Sequence, residues 1–185
     1  MIIGILEADV LADEVIQRYG RYADSFEELL SAADPQLSFQ IYHVTQQDYP
    51  LNIDECDAYL ITGSKASVYD DADWIQRLKH FVVECFEQEK KLLGICFGHQ
   101  LIAHALGGLV KKNQKGWGMG LASSKVTGKP DWLSPVQNEF NLLVSHQDQV
   151  MQLPPQASLI AGNDFCPIAS YQVNRSILTF QGHPE

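Results

Sequence analysis

Cys96 is the residue whose surroundings most clearly suggest chemistry. It lies between Gly94 and Gly98 in a G-x-C-x-G pattern, directly after a short apolar run and directly before a helix-like pattern. A strand, a sharp turn and a helix in that order form a nucleophile elbow, in which glycines allow close backbone approach and the nucleophile is strained and exposed. The helix start would also favour a thiolate. Taken alone, such a pattern is more often a buried core cysteine beside a glycine turn.

His183 and Glu185 are the residues that could complete a site with Cys96. A cysteine nucleophile needs a base to take its proton and a third group to orient that base. The two residues lie two positions apart across Pro184, so both side chains leave an extended strand on the same side. Glu185 could then fix the tautomer of His183 and stabilise its imidazolium. By itself, a terminal His-Pro-Glu segment is more often a polar tail.

The elements that must position these residues alternate between strand and helix over the first hundred residues. This alternation predicts an α/β fold with an open, mostly parallel sheet flanked by helices. Residues 2–6 form a near-continuous apolar run, which is typical of a strand covered on both faces. The other predicted elements are strands over 38–45 and 57–62, helices over 24–33 and 73–89, and the elbow strand and helix around Cys96.

After Gly108 the sequence changes to short strand patterns separated by Gly, Pro and Asn. These strands should extend the sheet and add an antiparallel edge or a side sheet. Because the 185 residues contain no repeat, linker or low-complexity segment, we expect one domain over residues 1–185. The predicted strands of this half are 109–112, 120–126, 140–144, 158–161, 168–173 and 176–180.

Composition limits the partners of the chain. A formal net charge of −10 argues against nucleic acid or an anionic membrane as the main partner. The four cysteines form no C-x-x-C pair and have no histidine nearby at metal-ligand spacing, so we expect no metal and no cofactor. His99 and His104 are five residues apart, which does not place them on one helix face.

The two ends of the sequence give further expectations. Residues 1–7 are apolar but short, lack a basic segment and include Glu7, so they indicate a first strand and not a signal peptide. No apolar run approaches membrane-spanning length, and a reducing cytoplasm is the expected compartment. The sequence ends on two strong catalytic residue types, His183 and Glu185. We therefore expect either a chain that is truncated at its C-terminus or a protein that continues beyond Glu185.

Together, these features resemble the class I glutamine amidotransferase family. The segment from Gly94 to Gln100 and the ending Gln181-Gly182-His183-Pro184-Glu185 match its two hallmark motifs in order and approximate separation. Thr62-Gly63-Ser64 occupies the place of its oxyanion loop, and residues 144–148 resemble its S-H-x-D stretch. The resemblance extends from about residue 2 to the last residue and implies a flavodoxin-like fold.

The resemblance implies a Cys-His-Glu triad that hydrolyses the side-chain amide of glutamine through a γ-glutamyl thioester and releases ammonia. Cys96 would be the nucleophile, His183 the general base and then acid, and Glu185 its orienting group. The backbone N–H groups of Gly63 and Phe97 would form the oxyanion hole. Physical reasoning agrees, since Phe97 follows the nucleophile at the helix start and Gly63 lets a loop backbone approach the oxyanion.

The family also implies residues that bind the substrate. Gln100 would bind the amino acid portion of glutamine, and Ser145 and His146 would hold its carboxylate. A helix glutamine and a strand-end Ser-His pair are also common surface features, so a structural role stays open for all three.

Three functions remain open. Many members deliver ammonia to a fused synthetase domain, as in guanylate synthetase, but this chain has no ATP-binding segment. The first function is therefore a stand-alone glutamine amidotransferase whose ammonia acceptor is a synthetase supplied in trans, or is absent. The second is a γ-glutamyl peptidase, since the same thioester can form from a γ-glutamyl peptide. The third is a non-catalytic scaffold, against which the intact Cys96, His183 and Glu185 argue.

Overall fold

The structure is a computed structural model that describes residues 1–128, 130–135 and 137–185. Its helices are α1 (Asp13–Tyr19), α2 (Tyr22–Ala33), α3 (Asp73–Glu87) and α4 (Phe97–Ala105), with short 3-10 turns at Val44–Gln46 and Ile53–Glu55. Its strands are β1 (Ile2–Glu7), β2 (Ser38–His43), β3 (Ala58–Ile61), β4 (Lys91–Ile95), β5 (Leu109–Lys112), β6 (Gly118–Val126), β7 (Glu139–His146), β8 (Asp148–Gln152), β9 (Ala157–Gly162), β10 (Ser170–Val173) and β11 (Ile177–Phe180).

A mixed sheet forms the centre of the described residues, with the strand order β2-β1-β3-β4-β11-β10-β9-β6-β7. The first five strands in this order pair in parallel, and the remaining pairs are antiparallel. Strands β5 and β8 form a separate two-stranded antiparallel sheet. The prediction of a mostly parallel sheet, extended by antiparallel strands and a side sheet, agrees with this topology.

Two apolar clusters cover the two faces of the parallel strands. Alternate residues of a strand point to opposite faces, and in β3 Leu60 belongs to one cluster while Tyr59 and Ile61 belong to the other. Phe26 of α2 is part of the Leu60 cluster. The opposite cluster contains buried residues of α3 and α4, including Leu78. This two-sided burial explains why the strands are apolar throughout and not alternating.

Some elements differ from the sequence-based expectations. The strand predicted over 38–45 ends at His43 and continues as a 3-10 turn. Helix α1 buries none of its residues, so it lacks the apolar pattern that would have revealed it. Strand β8 was also missed, because it buries two consecutive residues, Gln149 and Val150, and so lacks simple alternation.

Three neighbouring parallel strands end at the same edge of the sheet. The register pairs Ile61 of β3 with Gly94 of β4, and Ile95 of β4 with Phe180 of β11. The N–H of Cys96 continues this ladder and donates to the carbonyl of Phe180 (2.8 Å). The residues that follow β3, β4 and β11 therefore meet at the carboxyl edge, where open α/β sheets usually bind their ligands.

Candidate active site

Cys96 occupies the turn between β4 and α4 in a strained conformation. Its φ of 50° and ψ of −98° lie on the positive-φ side, which is uncommon for a residue with a side chain. The residue is 6% exposed and directly precedes the first turn of α4. The elbow expected from the G-x-C-x-G pattern is present, with the thiol next to the positive end of the helix dipole.

The two glycines of the elbow are required by close packing. A methyl group on Gly94 would lie 2.5 Å from Ile102 Cδ1 and 2.8 Å from the backbone of Gly98. A methyl group on Gly98 would lie 2.5 Å from the carbonyl oxygen of Ile61. Helix α4 therefore rests directly on strands β3 and β4, and this contact fixes the position of Cys96.

His183 and Glu185 follow β11 and lie beside the elbow. The Nδ1 atom of His183 is 2.7 Å from Oε1 of Glu185, and both side chains are largely buried. The backbone N–H of His183 donates to the carbonyl of Leu143 in β7 (2.8 Å), which holds this segment against the sheet. The expected common orientation of the two side chains across Pro184 is present in the structure.

The charge state of His183 is set by its neighbours. Burial alone lowers its pKa, but hydrogen bonds to Cys96 and Glu185 and the negative charges of both groups outweigh this effect and raise the pKa to about 10. These contacts therefore favour the protonated form of the His183 imidazole, whose Nδ1 is hydrogen-bonded to Glu185. This is the contact pattern of a nucleophile, its proton carrier and an orienting carboxylate.

The two expected oxyanion donors lie at the same edge. A methyl group on Gly63 would be 3.0 Å from His183 Cε1 and 3.7 Å from Cys96 Cβ, so only glycine fits here without displacing the imidazole. Among the described residues, no backbone carbonyl accepts a hydrogen bond from the N–H of Gly63 or of Phe97. The Thr62 hydroxyl holds the loop, since it accepts from the N–H of Ala8 (3.0 Å) and donates to the carbonyl of Gly63 (3.1 Å).

Gln100 lies on α4, one turn after Cys96, and is 3% exposed. Its side-chain Nε2 donates to the backbone carbonyl of Asp148 (2.8 Å) and to Oε1 of Gln181 (3.1 Å). Both amide protons are thus used within the protein, and Oε1 is the atom left for a substrate. Substrate binding by Gln100 stays a prediction.

Ser145 and His146 end strand β7 and line the same cleft as Cys96. Ser145 is exposed, whereas His146 is buried. Burial lowers the pKa of His146, so its imidazole is neutral, and Nδ1 lies 3.1 Å from the carbonyl of Asp148. With the proton on Nδ1, the other nitrogen is an acceptor. A carboxylate is therefore held more readily by the Ser145 hydroxyl, and both substrate-binding roles stay predictions.

A cleft of about 330 Å³ opens above the triad, and its lining includes Cys96, His183, Gln100 and residues of the surrounding loops. Asp148 lies on one side, where its carboxylate accepts hydrogen bonds from Ser67 (2.6 Å) and Tyr69 (2.9 Å). The cleft is open to solvent and its lining includes charged and polar side chains, so it can admit a charged substrate.

The lining of the cleft also includes three residues that sequence reasoning missed: Asp9, Tyr22 and Lys65. The Tyr22 ring stacks on the His183 imidazole (centroids 6.5 Å apart), and burial and the charges of Asp9, Cys96 and Glu185 raise the pKa of its phenol. Lys65 pairs with Asp9 at 3.3 Å. Tyr22 had no sequence signal, because the apolar pattern placed the start of α2 at residue 24.

Two further properties concern cofactors and membranes. In residues 1–128, 130–135 and 137–185, no group of three or more His, Cys, Asp or Glu side chains is arranged to hold a metal ion. His99 is fully buried against Thr179 (2.8 Å), and burial lowers its pKa to about 3, as expected for a core histidine. No helix in the described part of the chain is both long and apolar enough to cross a membrane.

The family follows from a comparison with known proteins. Residues 22–185 match the sequence model of the family described as glutamine amidotransferase class-I. The chain therefore belongs to the class I glutamine amidotransferase family, and the resemblance noted in its motifs is confirmed.

Relatives within the family carry two kinds of name. A glutamine amidotransferase-like protein of Schizosaccharomyces pombe is 34% identical over 195 residues, which cover 99% of this chain and 78% of that protein. Gamma-glutamyl peptidase 3 of Arabidopsis thaliana is 31% identical over 179 residues, which cover 92% of this chain and 71% of that protein. The chain is thus similar to hydrolase-type enzymes of both names.

A solved structure confirms the fold. The crystal structure of a glutamine amidotransferase from Methylobacillus flagellatus matches with a TM-score of 0.78 and 24% sequence identity, over 98% of this chain and 68% of that chain. The predicted fold class, a mostly parallel sheet flanked by helices with added antiparallel strands, is therefore correct.

Proposed function

We propose that this protein hydrolyses the side-chain amide of glutamine through a γ-glutamyl thioester on Cys96. In the first step, the thiolate sulfur of Cys96 attacks the side-chain carbonyl carbon and forms a C–S bond. The C–N bond then breaks while His183 donates its proton to the leaving nitrogen, so that ammonia departs. Glu185 holds the imidazole in the orientation that this transfer requires.

The second step releases glutamate. His183, now neutral, accepts a proton from a water molecule as the water oxygen attacks the thioester carbon. The C–S bond breaks, glutamate leaves, and the thiolate of Cys96 and the imidazolium of His183 are restored. Both steps pass through a tetrahedral oxyanion, and the free N–H groups of Gly63 and Phe97 are the donors available to stabilise it.

The observation that carries this proposal is the arrangement of the buried pair His183 and Glu185, joined at 2.7 Å, at the same sheet edge as the strained Cys96, with Gly63 beside both His183 and Cys96. A scaffold without catalysis would not need a strained cysteine, a buried imidazolium and a buried carboxylate in contact, because each is costly to maintain without a reaction. A synthetase acting in trans would be the partner that accepts this ammonia.

A γ-glutamyl peptidase is the second candidate function. Two observations favour it: the similarity to Gamma-glutamyl peptidase 3, and the presence of Tyr22, Asp9 and Lys65 in the lining of the cleft that contains Cys96 and His183. A leaving group larger than ammonia would be an amino acid or peptide, whose amino and carboxylate groups could pair with the side chains of Asp9 and Lys65. The chemistry at Cys96 would be the same, with the peptide nitrogen accepting the proton from His183.

The test compares products and variants. Glutamine and a γ-glutamyl dipeptide are supplied separately, and glutamate, ammonia and the released amino acid are measured. We expect Cys96→Ser to lower kcat by at least about a thousandfold on either substrate, because a hydroxyl is a far weaker nucleophile at neutral pH. Full activity in this variant would remove Cys96 from the mechanism.

Cys166→Ser is the matched control. Cys166 is also buried, its thiol donates to the carbonyl of Ile168 (3.5 Å), and a hydroxyl can make the same bond. We expect this variant to retain the wild-type rate. Ammonia release from glutamine supports the first function, and turnover of the dipeptide alone supports the second.

A further inference from the structure

A buried chain of side-chain amides connects Cys96 to strand β8. Gln181 is 1% exposed, and its Nε2 lies 3.7 Å from Sγ of Cys96, within hydrogen-bond range for sulfur. Its Oε1 accepts a hydrogen bond from Nε2 of Gln100 (3.1 Å), which also donates to the backbone carbonyl of Asp148 (2.8 Å). Cys96 therefore has a polar partner other than His183.

The orientation of both side-chain amides is fixed by the backbone carbonyl of Asp148, which can accept a hydrogen bond but cannot donate one. A backbone carbonyl is only an acceptor, so the Asp148 carbonyl requires the NH₂ end of Gln100. Gln100 then donates its second N–H to Gln181, and the atom of Gln181 that accepts this bond is the amide oxygen. The NH₂ end of Gln181 is thereby directed at the sulfur of Cys96. The hydrogen-bond network thus decides an assignment that amide geometry alone leaves ambiguous.

We propose that Gln181 is a further catalytic residue, which donates an N–H hydrogen bond to the sulfur of Cys96 and selectively stabilises its thiolate. A thiol is a weak acceptor, whereas a thiolate receives a charge-assisted hydrogen bond. Gln100 and the Asp148 carbonyl act through Gln181 as positioning groups. This inference rests on the proposed role of Cys96 as the nucleophile.

Gln181 gives the sulfur a second donor beside the His183 imidazolium. In the proposed mechanism His183 is protonated whenever the sulfur carries negative charge, so the two donors stabilise the thiolate together. An amide does not titrate, so Gln181 remains a donor when the thiolate forms and when it is expelled from the thioester. Its contribution is largest at the two moments when negative charge is concentrated on sulfur.

The test measures the pH at which Cys96 becomes reactive. The rate of alkylation by iodoacetamide follows the thiolate fraction and requires no turnover of glutamine. In Gln181→Met, which has no N–H to donate, we expect the midpoint of the alkylation profile to move upward by about one pH unit. In Gln181→Glu, the bond from Gln100 is retained but a negative charge faces the sulfur, so the midpoint should move at least as far.

Gln149→Met is the matched control. Gln149 is as buried as Gln181, and its amide donates to the Phe165 carbonyl (3.1 Å). The same carbonyl also accepts a hydrogen bond from Asn113 (3.3 Å). Loss of this buried amide should leave the midpoint unchanged. A midpoint unchanged in Gln181→Met and Gln181→Glu, or moved equally in Gln149→Met, would overturn the proposal.

A measurement on the unaltered Gln181 covers the case in which its variants do not fold. The side-chain NH₂ resonances of Gln181, followed by NMR in the protein labelled with ¹⁵N, should change over the pH range in which Cys96 becomes reactive. Cys96→Ala should abolish that change, and an identical titration in both proteins would contradict the hydrogen bond. If the thiolate is stabilised but glutamine is not hydrolysed, the proposed function fails while this inference stands.

Discussion

At the level of single residues, the candidate site depends on the balance between burial and charge at His183. Burial favours a neutral imidazole, but the hydrogen bonds and negative charges of Cys96 and Glu185 favour the imidazolium and prevail. In the proposed mechanism, this proton lies between the nucleophile Cys96 and the Glu185 carboxylate. General acid–base catalysis by a group in this position contributes on the order of 10²–10⁴ in rate.

The charge on His183 gives a direct pH prediction. Because its pKa is about 10, the imidazolium should persist through neutral pH and lose its proton only as the pH rises through that value. Cys96→Ala removes the foremost of the contacts that raise this pKa, while the lowering effect of burial remains. We therefore expect the pKa of His183 to fall in Cys96→Ala, as measured from ¹⁵N chemical shifts of the ring. An equal pKa in both proteins would mean that Cys96 does not contact the imidazole.

The two partners of Cys96 in the triad should not be equally important. His183→Gln removes the proton carrier and should lower kcat by about 10³–10⁴-fold. Glu185→Gln leaves the imidazole in place but replaces its 2.7 Å carboxylate partner, so the loss should be smaller. Steady-state kinetics on glutamine measure the loss of kcat in both variants. Glu139→Gln, at an exposed position of β7, is the control and should retain the wild-type rate. Equal losses would show that Glu185 does more than orient the base.

At the level of elements, the elbow is held by contact between α4 and the sheet. Gly94 and Gly98 leave no space for a side chain, so the helix backbone and the strands β3 and β4 are in direct contact. Cys96 lies at this junction, and its backbone is strained. Its position is therefore determined by packing around it and not by its own conformational preference.

Gly98→Ala tests the packing of the elbow. The added methyl group would lie 2.5 Å from the carbonyl oxygen of Ile61, which belongs to the backbone and cannot rotate away. We expect α4 to shift, kcat to fall by about a hundredfold, and the free energy of unfolding to fall by roughly 1–3 kcal/mol. Activity assays and denaturant unfolding measure the two effects.

Ala105→Gly in the last turn of α4 is the control for Gly98→Ala. Its cost is a loss of helix propensity of about 1 kcal/mol, with no contact introduced beneath the elbow. Activity should therefore be retained although stability falls. Wild-type activity in Gly98→Ala would indicate that the nucleophile does not depend on this contact.

The elements that the sequence revealed are those with a buried face. The apolar runs of β1, β3 and β4 and the helical spacing of α3 and α4 follow directly from burial, and these predictions agree with the structure. Helix α1 buries no residue and left no pattern. The first turn of α2 is set by a polar contact, in which the Arg21 N–H donates to Asp24 (2.8 Å), so the apolar pattern missed Tyr22.

At the level of the whole molecule, the parallel order β3-β4-β11 explains why residues from three distant segments form one site. Gly63, Cys96 and His183 each follow the end of one of these strands. The resemblance of their motifs to the family predicted that these residues meet, and the strand order gives the physical reason. The hydrogen bond from Gln181 to Cys96 could not be predicted. Its direction depends on the backbone carbonyl of Asp148, and every residue type has such a carbonyl, so the sequence contains no signal for it.

The same topology places Tyr22, Asp9 and Lys65 in the lining of the cleft, where sequence reasoning had no motif to follow. We expect the loops after β1 and β3, which carry Asp9 and Lys65, to determine how large a leaving group is accommodated. Glutamine and a γ-glutamyl peptide would then be distinguished by these loops and not by Cys96, His183 and Glu185.

The central claim, a γ-glutamyl thioester on Cys96, is tested most directly by trapping that intermediate. The protein is mixed with glutamine, quenched in acid within the first turnovers, digested and analysed by mass spectrometry. We expect a γ-glutamyl group on the peptide that contains Cys96, together with ammonia in solution, and neither in Cys96→Ser. Ammonia release without any adduct on Cys96, or an adduct on Cys56, Cys85 or Cys166 instead, would contradict the proposed mechanism.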